Sequence, residues 1–492
     1  MKKIDKDPTH KELIDLIVAN PIGRNADLVS MTETIFSTEG GMTYFLDGDW
    51  GSGKTFFVKQ LKIVLEALNP NTENDDEMLR VLDSPEIAEL QGCKDGEAGS
   101  SESGCGEAGS RQSLPYLPIY YNAWENDHWD DPLPSIIQTI AWQAGGSGKV
   151  DAGDPIEKFG GIVGNILKAA NLGFVSETCK TISGESLLQQ YKDRLKIRHY
   201  IRQLIEKALD GRDEKMLLII DELDRCRPVF ALKLLEQVKN VFGSEKLVVL
   251  YAVNTDELSK TAECQYGSGF DGARYLSRFY DERFTLFPPE GATYLAYSGI
   301  PNDSWRSHSI AHEMKNALRM SLRDQNRYAS SLMRIEKLRS TDPGEICQAT
   351  FVENALAVLL SAVEVARQTD FVEIINLRGG DKVFECACMS ESFLAYLDLM
   401  IRDRRHLLTH LHSEFEDLFE ERFDVDGSEA GIGEDLRREL VEKSRRLFLN
   451  GFLTLMFDVD QQGESYREAY RLINDGSFGY RRLDLIAKRL FG

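Results

Sequence analysis

The segment Gly48-Asp49-Trp50-Gly51-Ser52-Gly53-Lys54-Thr55 fits the pattern G-x-x-x-x-G-K-[ST], and nothing else in the chain restricts the fold as much. A loop that wraps a triphosphate with its own amides needs glycines, for close approach and for unusual φ/ψ values. It also needs a strand before it and a helix after it, with the helix N-terminus facing the anion. Both flanks are present: Met42–Leu46 (MTYFL) reads as a strand and Phe56–Leu65 as an amphipathic helix. The residues from Gly48 to Phe56 are therefore expected to hold a nucleotide. Lys54 would carry positive charge to the β- and γ-phosphates, and Thr55 would offer its hydroxyl to Mg²⁺.

Four more short apolar runs follow: Leu117–Asn122 (LPIYYN), Met216–Ile220 (MLLII), Leu247–Val253 (LVVLYAV) and Phe284–Phe287 (FTLF). They are continuous rather than alternating, as a sheet covered on both faces requires, and helical periods lie between them. The expectation is an α/β fold with a doubly wound, mainly parallel, five-stranded sheet over residues 1–290. Beyond about residue 300 strand signals fade, and helical periodicity appears at Ile310–Lys337, Phe351–Ala366, Glu391–Phe419, Glu434–Val459 and Tyr466–Phe491. Residues 291–492 read as an α-helical domain, with Pro288-Pro289 as a hinge. Asn69–Ser113, Gly/Ser/Glu-rich at its centre, reads as a mobile surface insert.

The third run enters Asp221-Glu222, placing two carboxylates at the C-terminal edge of a strand, where ligands bind in such sheets. Asp221 is expected to hold Mg²⁺ beside Thr55, and Glu222 to orient and deprotonate the attacking water. The acids are expected on a strand neighbouring that of the phosphate loop. Asn254, after LVVLYAV, has two readings: a group that holds the lytic water or senses the γ-phosphate, or a turn-forming residue before Asp256. Trp124, after the second run, reads chiefly as a core residue.

The chain has 58 basic and 80 acidic side chains, a formal net charge of −22. Such a field lacks the basic footprint of a constitutive nucleic-acid binder. Arginine clusters at 402–405, 437–438 and 445–446 read as solvated helix faces balanced by acids. The eight cysteines form no C-x-x-C pair, so zinc-ribbon and thioredoxin-like readings fail. His406 and His410 read as structural. The N-terminal stretch lacks the apolar core of a signal peptide, and Gly160–Val175 is broken by polar residues, so no membrane span is expected. A reduced, cytoplasmic, soluble protein is the expectation.

Several spaced elements resemble the KAP family of P-loop NTPases, a branch of the additional-strand class. They are Gly23-Arg24, the loop DGDWGSGKT, YYNAWE, IIDELDRCRP with LLEQVKNVF behind it, and YLSRFYDERFTLFPP. The resemblance implies ATP with Mg²⁺ as the ligands, and a hydrolase acting as a regulatory or assembly switch. It also implies partners among proteins or further copies of the chain, and a role in bacterial defence against phage or mobile elements. A nucleic-acid-stimulated translocase is the alternative. Glu222 stands where the family has aspartate, and Arg278 where it has lysine. Among Arg225, Arg274 and Arg278, the last is favoured for neutralising transition-state charge. Leu399–His412 resembles an arginine-bearing C-terminal helix, which would bring Arg402 to the γ-phosphate; the other reading, with Arg404 and Arg405 beside it, is an arginine on a solvated helix face.

Overall fold

The computed structural model describes residues 8–72, 75–90, 115–145, 160–166, 184–211, 213, 215–287, 293–300, 306–340, 348–376 and 380–402, with positions 442, 445, 446 and 449. The chain divides into two compact units, one spanning Ile4–Glu290 and the other taking in Gly291–Gly492. The Pro288-Pro289 hinge, the centre of the acidic insert, the histidines at 406, 410 and 412, the loop at 424–433 and most of the last two helical stretches lie outside the described residues.

In the first unit five strands form one sheet: β1 (Thr43–Asp47), β2 (Tyr116–Asn122), β3 (Lys215–Asp221), β4 (Leu247–Val253) and β5 (Glu282–Thr285). The order is β2-β3-β4-β1-β5 and every pair is parallel. Alternate residues of each strand enter opposite layers, as the two-residue side-chain period demands. Phe45, Leu218, Ile220, Val249 and Tyr251 pack with α4 (Pro132–Ala144), α5 (Gly184–Leu209) and α6 (Pro228–Val241). Tyr44, Leu46, Leu217, Ile219, Val248 and Leu250 pack with α1 (His10–Ala19), α2 (Asn25–Phe36) and α3 (Lys54–Leu68). Around β1, β3 and β4 both faces are dry, which is why those runs are apolar throughout; β5 is an edge strand, largely exposed, and it begins two residues before the expected run Phe284–Phe287, whose Phe287 is exposed. The doubly wound α/β sheet is thus as the apolar runs predict.

Three expectations need correction. β1 does not pair with β3: β4 lies between them, bonded to both. The inserted strand, legible in sequence only as one more apolar run, therefore separates the loop strand from the acidic strand. Next, the start of the proposed insert is ordered. Asn69 donates to the Tyr116 carbonyl at 2.9 Å, Ser84 accepts from Asn25 at 2.8 Å, and Val81 and Ile87 are fully buried against α1 and α2. Those few apolar residues sufficed to dock Asp75–Leu90, whatever the composition downstream.

The second unit is helical where it is described: α8 (Arg306–Ala317), α9 (Leu322–Ser340), α10 (Gln348–Ala366), α11 (Gln368–Ile375), α12 (Gly380–Ala387) and α13 (Glu391–Arg402). Leu356, Leu359, Leu360 and Val363 of α10 are fully buried, with α8 and α9 contributing Ile310, Met314, Tyr328 and Leu332 to the same core. The single helix expected at Ile310–Lys337 is two. Arg319 takes a left-handed φ of 47°, and Ser321 then caps a new start, its hydroxyl accepting from the Asp324 amide at 3.2 Å. Arg446 ion-pairs with Glu442 at 2.8 Å and with Asp381, the balanced face expected there. Among the described residues no helix is long and apolar enough to cross a membrane.

Candidate nucleotide site

The strand ends are in register. Asn122 sits opposite Asp221, Asp221 opposite Ala252, Leu46 opposite Ala252, and Asp47 opposite both Val253 and Thr285. The C-terminal edge therefore gathers the chemistry in one row.

Asp47 closes β1. It accepts hydrogen bonds from the Thr255 amide and hydroxyl, both at 2.7 Å, and from Arg283 at 2.6 Å. Burial pushes its carboxyl up, but these donors and the Arg283 charge outweigh that, and it sits below its ordinary value. The loop then turns: the Gly48 amide bonds the Val253 carbonyl at 3.2 Å, and Gly51 and Gly53 take φ of 86° and 95°, a region costly for residues with a Cβ. A Cβ on Gly48 would meet the Ser52 hydroxyl at 2.9 Å and the Leu286 carbonyl at 3.1 Å.

Gly53 starts α3 without any side-chain cap, and the first turn carries no acid. By contrast, α1 has a full capping box and α7 (Thr255–Tyr266) is capped by Asn254. The first amides of α3, at the positive end of the helix, thus receive no side-chain cap. Ser52 is buried, and its hydroxyl has no hydrogen-bond partner among the described residues. Lys54 folds back over the loop, its ammonium donating to the Gly48 carbonyl at 2.5 Å and the Asp49 carbonyl at 3.2 Å. Burial lowers its pKa, against the pull of Asp224, Asp221 and Asp47. Asp49 and Trp50 are exposed, and Phe56 is half-buried against the core.

The acids of β3 meet this loop despite the intervening strand. Thr55 donates to Glu222 Oε1 at 3.1 Å, and the Trp50 indole donates to Asp224 at 2.7 Å. Glu222 is in the left-handed region at φ 62°, ψ 23°, turning the chain into the Leu223–Arg225 turn. Its Oε2 pairs with Arg225 at 2.5 Å. Asp221 is only 1% exposed and accepts from the Tyr120 hydroxyl at 2.9 Å and the Glu222 amide at 2.8 Å.

Several partners were not singled out from sequence. Arg24 reaches under the loop, donating to the carbonyls of Phe287 at 2.5 Å and Ser52 at 3.4 Å. Tyr120, Asp47 and Arg283 likewise serve the site through contacts that only folding creates. Gly23-Arg24 and YYNAWE were legible as motif pieces, though not as hydrogen-bond partners.

Other expected residues behave differently. Asn254 stands at the edge, but its Oδ1 is spent capping α7, accepting from the Asp256 and Glu257 amides at 3.1 Å. Trp124 does not enter the core: it is 55% exposed, with the Arg225 guanidinium 5.7 Å from its ring. Arg278 is not brought to the phosphate loop. It precedes β5, whose Glu282 pairs with Tyr44, so it lies at the N-terminal edge of the sheet. Its carbonyl accepts from Lys239, eleven residues along α6 from the Pro228 end, roughly 16 Å by helical rise. Arg274 is exposed on the short helix Gly272–Leu276. Arg402 ends α13 in the second unit, and its side chain is outside the described residues.

Burial, and next the neighbouring Glu222, pushes the Asp221 carboxyl up to about 6; the hydrogen bonds from Tyr120, Thr55 and the Glu222 amide pull it down only in part. A buried carboxylate beside a second one and a threonine hydroxyl needs more positive charge than the Lys54 ammonium, which it attracts, supplies. A hard divalent cation with oxygen ligands fits that need. A raised folded-state pKa contributes stability below the unfolded value, lost as pH rises through about 6. Asp221→Asn removes that loss. Without Mg²⁺ or nucleotide, the variant is expected to be up to about 3 kcal/mol more stable than wild type at pH 7.5, from a carboxyl raised from 3.8 to about 6, an advantage that shrinks towards pH 5. Denaturant unfolding across this range measures it, and a difference independent of pH would contradict the charge argument.

A family model described as the KAP family P-loop domain matches residues 24–293, more than half of the chain. No curated protein matches it.

Proposed function

This chain belongs to the KAP family of P-loop NTPases, and from that premise we propose that it is an Mg²⁺-dependent ATP phosphohydrolase. The observation that carries the reading is the contact between loop and acids: Thr55 bonded to Glu222, with Asp221 buried beside them.

In this reading the backbone from Gly48 to Thr55 wraps the phosphates, and the uncapped start of α3 adds its dipole. Lys54 exchanges its two loop carbonyls for the β- and γ-phosphate oxygens. Thr55 and Asp221 would hold the metal, which when bound would supply positive charge against the charge that develops on the phosphates. Glu222 orients the water and takes its proton at a carboxylate oxygen. Asn254 contributes its remaining amide NH₂ as a donor to that water or to the γ-phosphate. Arg278 is not used in this reading.

We further propose that turnover serves a regulatory or assembly switch with protein partners or further copies of the chain; a role in bacterial defence is supported only by the family resemblance. Nucleic acid is a weaker partner at a net charge of −22. Mass measurement of the purified chain with and without a non-hydrolysable ATP analogue tests the switch. Nucleotide-dependent assembly is expected. An unchanged mass would reject assembly, and no phosphate release from Mg·ATP would reject the hydrolase.

A further inference from the structure

The two oxygens of Glu222 are held by partners of different kinds. Oε1 accepts from the Thr55 hydroxyl at 3.1 Å, while Oε2 is paired with the Arg225 guanidinium at 2.5 Å. A neutral hydroxyl can be exchanged for a water at little electrostatic cost. A cation in ion-pair contact with a mostly buried carboxylate is harder to displace, even though Oε2 makes no hydrogen bond among the described residues, because leaving a buried charge without its partner is costly.

Arg225 is itself held. It sits three residues after Glu222 on a tight turn, its amide bonded to the Glu222 carbonyl at 3.2 Å, with its guanidinium over the Trp124 ring. The Trp124 backbone is held in turn, its amide donating to Asn122 Oδ1 at 3.1 Å at the end of β2. A chain of contacts therefore runs from the edge strand to one oxygen of the carboxylate.

We propose that Arg225 is a positioning residue for Glu222: it pins Oε2, so that Oε1 is the oxygen that receives the water proton, and Trp124 is the platform that keeps Arg225 in place. This rests on Glu222 being the base, and it differs from a role in which Arg225 touches the phosphate. A misplacement of about 1 Å in a catalytic group costs on the order of 100-fold in rate, which sets the expected size.

The test compares wild type, Arg225→Ala, Arg225→Lys, Glu222→Gln and the Arg225→Ala/Glu222→Gln double variant. Steady-state ATP hydrolysis and equilibrium binding of an ATP analogue are measured, with thermal melts as a check on folding. Arg225→Ala should lower kcat roughly 10- to 100-fold with KM and analogue affinity within about threefold, and Arg225→Lys should restore part of the loss. Adding Arg225→Ala to Glu222→Gln should change the residual rate little, since the group it positions is already gone. Trp124→Ala should lower kcat by a few fold and Trp124→Phe by less. Full additivity in the double variant would overturn the proposal, as would parallel loss of analogue affinity or wild-type kcat in Arg225→Ala. If Arg225→Ala melts at a lower temperature, the lysine variant and the double variant carry the decision. A wild-type chain that binds and hydrolyses nothing refutes the hydrolase instead, so the two failures are distinct.

Discussion

Glu222→Gln is expected to lower kcat by roughly 10²- to 10⁴-fold, the usual range for a lost general base, while ATP stays bound. Glutamine has the same shape and can still accept from Thr55, so the loop keeps its geometry. Both residues bear a similar cost in the left-handed region at φ 62°, so the fold has little reason to change. What is lost is the charge: a neutral amide takes no proton from water. Filter binding of labelled ATP, with phosphate release followed in the same sample, checks both halves. Full turnover by the purified variant would remove Glu222 from the mechanism.

Lys54→Ala is expected to remove nucleotide binding at working concentrations. The ammonium is the charge that the loop brings to the phosphates, and hydrogen bonds to charged groups are worth about 1.5–3 kcal/mol each. Losing two of them weakens binding by at least 100-fold. The apo fold should be nearly indifferent, because Lys54 is buried and burial lowers its pKa. Its two partners, the carbonyls of Gly48 and Asp49, can be hydrated instead. Thermal melts separate these effects: at 100 times its Kd, ATP stabilises the wild type by about 2.7 kcal/mol, and the variant should show no shift. A variant that still melts higher with Mg·ATP would refute the role of Lys54.

Much of the site was legible before folding because its parts are local. The loop Gly48–Thr55 is one run whose glycines and lysine work within eight residues, and its backbone geometry is a property of that run. Asp221 and Glu222 end an apolar strand, and strand ends in parallel sheets face the ligand whatever the order of strands. The runs of β1, β3 and β4 were readable because strands buried on both faces leave an unbroken apolar signal, whereas the exposed edge strand β5 was placed two residues late. Asn254 could be placed at its edge, but not given a task, since capping and catalysis use the same amide.

Other features depend on distance along the chain. Arg278 looked suitable by its motif, yet register puts it at the far edge of the sheet. Trp124 looked like core because tryptophans usually are, and a tight turn after β2 points it outward over Arg225. Arg24, Tyr120 and Arg283 join the site across 28, 101 and 236 positions, and no pattern of spacing announces such pairings.

The amino-acid order alone determined the phosphate loop, the acidic strand end and the parallel α/β class, since each is written in neighbouring residues whose backbone and side-chain periods do not wait for the rest of the molecule. Tertiary structure alone decided that β4 stands between the loop and the acids, that Arg225 ion-pairs with one oxygen of Glu222, and that Asp221 is sealed from water. Those outcomes depend on which strands pair and how deeply side chains are desolvated, and both are set by the whole packed sheet.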